Sequence, residues 1–292
     1  MSKSISKSLI LTQPLVDVSW LLENLLAPNL KILDASWYLP SDMRDPYTDF
    51  LNSHIPNSQF FDIDKISNPQ TNLPHMLPSE VDFSDSMQKL GLCANDAIVV
   101  YDGSGVFSAP RAWWMFRIFG HDNVAVLQGG MPAWLASKNI VESNLKIYPK
   151  GNFKANFNPL LVRNLSEIET NIQTKKEQLV DARSKGRYYG RDPEPRPGLR
   201  SGHIPGSINL PYSLIINQKS GYILTPKEIR AKAKIIGLDL SQPVITTCGS
   251  GISASLLALA FFIAGQKETA VYDGSWTEWG SQKDTLIVND EI

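Results

Sequence analysis

The sequence predicts an α/β protein built as two tandem copies of one domain, each a mainly parallel sheet flanked by helices. Two observations predict it. First, four blocks recur in the same order: KILDASWYL (31–39) with QLVDARSKG (178–186), HIPNSQFFDID (54–64) with HIPGSINLPYS (203–213), AIVVYDGSGVFSAPRAWWMF (97–116) with PVITTCGSGISASLLALAFF (243–262), and VAVLQGGMPAW (124–134) with TAVYDGSWTEW (269–279). Their separation drifts only from 149 (His54 to His203) to 145 (Val124 to Thr269), which marks a tandem duplication. Second, short β-branched runs alternate with helix-length runs inside each copy: ILDA, IVVYD and VAVL in the first, LVDA, VITTC and AVYD in the second. That alternation builds a parallel sheet with crossover helices.

In chain order, residues 10–148 read as the first domain and 166–286 as the second. Between them, 149–165 (PKGNFKANFNPLLVRNL) carries Pro, Gly and Asn without periodicity and reads as a linker. The 292 residues are 42% apolar and 20% charged, with a formal net charge of -1. Such a chain lacks the basic footprint a nucleic-acid partner requires. No stretch approaches the roughly 18 apolar residues of a membrane span, and the apolar run Leu9-Ile10-Leu11 is too short for a signal peptide. Two cysteines, without CxxC or a histidine cluster, make neither a disulfide framework nor a structural zinc site. The expectation is a soluble cytoplasmic protein in a reducing compartment.

Ligands in open parallel sheets sit off the carboxyl ends of the strands. Cys248 stands there, after VITT and before the small-residue loop Gly249-Ser250-Gly251. Glycines let the loop turn its N–H groups inward, and a helix starting near Ile252 or Ser253 adds its own N-terminus. Together these form an anion cradle that favours the thiolate. Cys93, in LGLCAND with no such loop, reads as structural.

The duplication supplies an internal control. Asp102 occupies the position of Cys248 in the first copy, so that copy is expected to lack the cysteine's chemistry. His54 and His203, shared by both HIP turns, read as architectural. His121, after an apolar helix, reads as a solvated helix end.

These blocks, together with PHMLP, DARSKGRYYGRDPEPRPGLRSGHIPG and the CGSGISA loop, resemble the rhodanese superfamily of sulfurtransferases over nearly the whole chain. The resemblance implies two tandem rhodanese-like domains, the second one catalytic. Gly249-Ser250 after the cysteine is similar to the branch that uses 3-mercaptopyruvate; branches using thiosulfate typically carry Arg-Lys there. Ile252 and Ser253 stand where that branch usually has Val and Thr, both conservative changes in the loop that holds the substrate sulfur. The resemblance further implies a Cys248 persulfide, pyruvate as the released product, and transfer to cyanide or to a thiol such as thioredoxin or a small thiol. It implies no metal and no organic cofactor.

By the same resemblance Arg187 (GRYYG) and Arg196 (PEPRPG) bind substrate, which suits the fork geometry of guanidinium toward a carboxylate. Ser250, His75 and Asp64 match a Ser–His–Asp arrangement beside the substrate thiol. Arg183, Arg191 and Arg200 read as solvated loop charges. Three rival activities follow. A thiosulfate:cyanide sulfurtransferase shares the chemistry. A cysteine phosphatase needs Cys-x5-Arg, and Ala254 stands where its arginine belongs. A bare sulfur carrier needs neither arginine nor the Ser–His–Asp set.

Overall fold

The computed structural model describes residues 8–289. Each copy carries a five-stranded, wholly parallel sheet. The first comprises β1 (Leu15–Val16), β2 (Leu30–Asp34), β3 (Ser58–Phe60), β4 (Ala97–Tyr101) and β5 (Val124–Leu127), in the order β1-β5-β4-β2-β3. The second comprises β6 (Val162–Arg163), β7 (Gln178–Asp181), β8 (Ile208–Asn209), β9 (Val244–Thr247) and β10 (Ala270–Tyr272), in the order β6-β10-β9-β7-β8. The two orders are identical, as a duplication requires. The central strands fall on the six β-branched runs, while the two edge strands of each sheet are only two or three residues long. Elements that short carry no readable periodicity.

The stretch 149–165 is not a free tether. Phe153 and Ala155 are buried, and its end enters the second sheet as β6, paired with β10. The HIP histidines pin each sheet's edge: His54 Nδ1 meets the Phe50 carbonyl at 2.7 Å and His203 Nδ1 the Tyr188 carbonyl at 3.0 Å. Each also bridges antiparallel to a later segment, at Glu142 and Val288.

Helix Ile252–Ala264 is apolar on every side because ten of its thirteen residues are buried. One side covers its own sheet; the other packs on helix Ala109–Ile118 of the first domain, with the Trp113 and Phe262 rings 5.3 Å apart. One hydrophobic core therefore runs through both domains. Each fully buried Leu or Phe in it contributes about 1.5–3 kcal/mol. His121 corrects the sequence reading: it is buried, with its ring 5.4 Å from Phe153 and 5.9 Å from Phe116. The chain turns back after the helix, so its end faces the aromatic core rather than solvent. Among the described residues no helix is long and apolar enough to cross a membrane.

Candidate active site

Strand β9 delivers Cys248 to its carboxyl end, where the cysteine is almost fully buried. A second loop, after β10, fixes the backbone around it. Trp276 N–H donates to the Cys248 carbonyl and Thr277 N–H to the Gly249 carbonyl, each at 2.9 Å. The Thr277 hydroxyl adds a 2.6 Å bond to Gly249. With those carbonyls held outward, the Gly251 N–H points in and donates to Cys248 Sγ at 3.1 Å. Gly251 is left-handed (φ +83°), and a Cβ there would lie 2.6 Å from Arg111 Nη1, so only glycine fits. The helix begins at Ile252, adding its N-terminal N–H groups to the cradle.

Two arginines roof this loop. A Cβ placed on Gly249 would sit 3.1 Å from Arg187 Nη2 and 3.9 Å from Arg196 Nη1. Arg187 is held by Glu194, with Nη2–Oε2 at 2.5 Å. Arg196 Nη2 reaches the Ser250 hydroxyl at 3.4 Å. Burial draws the Arg196 pKa below the usual arginine value; Cys248 opposes this and Arg187 reinforces it. Arg196 stays charged nonetheless, as arginines in proteins do.

A cleft of about 80 Å³ joins these groups, and both domains wall it. Trp37 and Phe107 come from the first domain; Arg187, Arg196, Tyr212 and Cys248 come from the second. Leu39, Pro40, Pro195, Gly249, Ser250, Ile252 and Ser253 complete the wall, while Gly251 is not part of it. The Phe107 and Tyr212 rings close the domain boundary 5.2 Å apart.

His75 and Asp64 form their own pair, Nδ1–Oδ1 2.9 Å, beside the cleft rather than lining it. His75 is buried in a left-handed conformation (φ +64°), its ring edge-on to Trp37 at 4.9 Å. Its Nε2 has no hydrogen-bond partner among the described residues, so the Ser250–His75 link is not formed. Burial lowers the His75 pKa, Asp64 opposes this, and Arg111 and Arg196 push the same way as burial. Asp64 is lowered by its bond to His75. The pair is therefore neutral imidazole beside carboxylate.

Sequence reasoning missed two residues beneath the loop. Arg111, fully buried in an apolar helix of the first domain, donates to Asp273 of the second at 2.7 Å and also to the His75 carbonyl. The other Asp273 oxygen accepts Leu77 N–H at 2.8 Å. One ion pair thus holds His75, the domain interface and the Cys248 loop together. A charged residue inside PRAWW was the available signal. Arg183 and Arg200 also correct the sequence reading. Arg183 is buried against Asp181 and Glu194, and Arg200 donates to the Gly280, Trp279 and Thr285 carbonyls. Both satisfy neighbouring acceptors that the Pro-rich sequence did not announce. Arg191 is exposed as expected.

A cysteine in an amide cradle, under paired arginines, between two copies of one α/β domain defines a class. The chain belongs to the rhodanese-like family, whose domain model matches residues 17–137 and again 164–282. It is 42% identical over 275 residues to the 3-mercaptopyruvate sulfurtransferase of Rattus norvegicus, covering 92% of each chain. It is also 42% identical over 303 residues to thiosulfate/3-mercaptopyruvate sulfurtransferase 1, mitochondrial, of Arabidopsis thaliana, covering 97% of this chain and 80% of that one. Among solved structures it matches Escherichia coli SseA, of the 3-mercaptopyruvate sulfotransferases, with a TM-score of 0.83 and 35% identity over 91% of this chain and 99% of that one.

Proposed function

We propose that this chain is a sulfurtransferase that takes sulfur from 3-mercaptopyruvate through a Cys248 persulfide and releases pyruvate. One observation carries the reading: the loop under Arg187 and Arg196 continues Cys248 with Gly249-Ser250, adding no further cation. Two forked guanidiniums suit the single carboxylate and adjacent carbonyl of an α-keto acid.

The Cys248 thiolate attacks the donor sulfur, forming the S–S bond. The C–S bond breaks, its electron pair goes to the enolate of pyruvate, and a proton completes the product. Neutral His75, kept in that state by burial and oriented by Asp64, stands beside the cleft with Nε2 unpartnered and accepts the donor thiol's proton once bound substrate bridges to it. An acceptor thiolate, on thioredoxin or a small thiol, or cyanide, then attacks the outer sulfur and restores the Cys248 thiolate.

We assign residues 10–148 and 166–286 to the two domains and 149–165 to their connection, whose end supplies strand β6 to the second sheet. We assign the chain to the cytoplasm; cell fractionation tests this against the mitochondrial location named for one relative. Mass spectrometry after exposure to 3-mercaptopyruvate tests the chemistry: one added sulfur on Cys248 with equimolar pyruvate is expected. Faster turnover of thiosulfate in a parallel assay would reassign the donor.

A further inference from the structure

The first copy holds a second pocket, at the carboxyl end of β2. Asp34 and Ser36 (LDAS) stand there where the second copy has Asp181 and Arg183 (VDAR). In the second copy the Arg183 guanidinium fills the space in front of the aspartate. Its Nη2 donates to Asp181 at 2.7 Å and to the Gly202 carbonyl at 2.8 Å. Its Nη1 donates to Glu194 at 2.8 Å, and the guanidinium carbon lies 4.0 Å from the Trp276 ring centre.

In the first copy that side chain is reduced to a hydroxyl, and a cavity of about 250 Å³ opens. The positional counterparts of the groups that hold Arg183 line it: Asp34 for Asp181, Ser53 for Gly202 and Met131 for Trp276. Asp49 supplies a second carboxylate, as Glu194 does. Glu194 also binds Arg187; likewise Asp49 already binds one arginine, Arg44, at 2.6 Å. Arg44 itself lines the cavity, its guanidinium 3.9 Å from the Tyr38 ring centre, so Asp49 has its cation and Asp34 alone lacks the one that Asp181 has.

Asp34 shows what is missing. It is 4% exposed and takes bonds from the Ser36 N–H at 2.9 Å and the Ser36 hydroxyl. No arginine or lysine among the described residues pairs with it, whereas Asp181 has Arg183. Burial pushes the Asp34 carboxyl up to about 6; the bonds from Ser36 and the Tyr101 hydroxyl oppose this, and the charge of Asp102 adds to it.

We propose that this pocket binds a guanidinium group from outside the chain, with Asp34 as its counter-ion. A guanidinium fits better than an ammonium because its planar fork can meet two carboxylates and lie flat on an apolar wall. Phe50, Met131 and Leu135 give that wall, with room for a short aliphatic stem.

Calorimetric or NMR titration of the full chain tests this, using methylguanidinium, free L-arginine and N-acetyl-arginine amide, with butylammonium as control. Saturable one-to-one binding of methylguanidinium is expected, with butylammonium weaker by about tenfold for one lost charge-assisted bond. Asp34→Asn should remove the binding. Ser36→Arg, which supplies the guanidinium within the chain, should also remove it and raise the melting temperature. Preference for free arginine marks a small guanidino metabolite; preference for the capped amide marks an arginine side chain of another polypeptide. Equal binding by butylammonium, no saturable binding, or unchanged binding in Ser36→Arg overturns the proposal.

Discussion

The loops after β4 and β9 are one element in two copies, and what fills each decides whether it can react. In the first, the Asp102 carboxylate accepts the N–H groups of Ser104, Phe107, Ser108 and Ala109 at 2.7–2.9 Å. Its cradle is closed by the chain's own anion. In the second, Cys248 Sγ receives one N–H, from Gly251, and faces a cleft. The helix starts seven positions after Asp102 but four after Cys248, so the reactive cradle is also the tighter one. The same fold of backbone is closed by a permanent carboxylate in one copy and left open to a cleft, with a thiol at its centre, in the other.

Cysteine replacements give the largest expected effect. Cys248→Ser should abolish pyruvate release, and Cys93→Ser should leave most of it. Adding Asp102→Cys to the Cys248→Ser chain should not restore sulfur uptake by mass spectrometry; restored uptake would break the contrast between the copies.

The first domain's own contribution comes next. His75→Ala should slow turnover by about 10²–10⁴ while Cys248 alkylation stays near normal. Because burial lowers the His75 pKa, the imidazole remains neutral to lower pH than a free one. The acid limb of kcat/KM should therefore fall below pH 6.5 and vanish in His75→Ala. The same sign applies to stability: His75 contributes a penalty only as pH drops below the unfolded-state value. An unchanged acid limb in the variant would assign it to another group.

Donor choice is a smaller effect. Arg187→Ala or Arg196→Ala should each cost about 1.5–3 kcal/mol in kcat/KM for 3-mercaptopyruvate. Gly249→Arg with Ser250→Lys should shift preference toward thiosulfate, since the new side chain enters beside Arg187 and adds positive charge for a dianion. Competition assays with both donors read the ratio. The smallest effect separates cap from reactant: Asp102→Ala should lower stability to urea by about 2–4 kcal/mol through its orphaned N–H groups, and Cys248→Ala should change it by less.

Much of this was legible in the sequence because duplication displays it twice. The repeated central strands, the Cys248 loop and the start of helix Ile252–Ala264 follow from aligned blocks and from glycines at set places. What escaped lies between the copies or folds back on itself. Arg111 meets Asp273 across 162 positions of chain, a distance no local pattern spans. Trp37 and Phe107 went unassigned because nothing local says that a second domain faces them. Arg183 was misread because its partner Asp181 is two residues upstream at a strand end, where a long side chain can curl back. Set against Ser36 in the other copy, that arginine was the difference worth weighing.

The apolar helix that joins the domains has a consequence for how the chain is made. Helix Ala109–Ile118 leaves the ribosome well before its cover, Ile252–Ala264, has been translated. At ordinary elongation rates the interval lasts roughly 7–30 s. Throughout it, Trp113 and its neighbours present an uncovered hydrophobic face. The first domain thus waits with an uncovered apolar face until the second domain has been made. A chain ending before Ile252 would leave that face permanently without its cover.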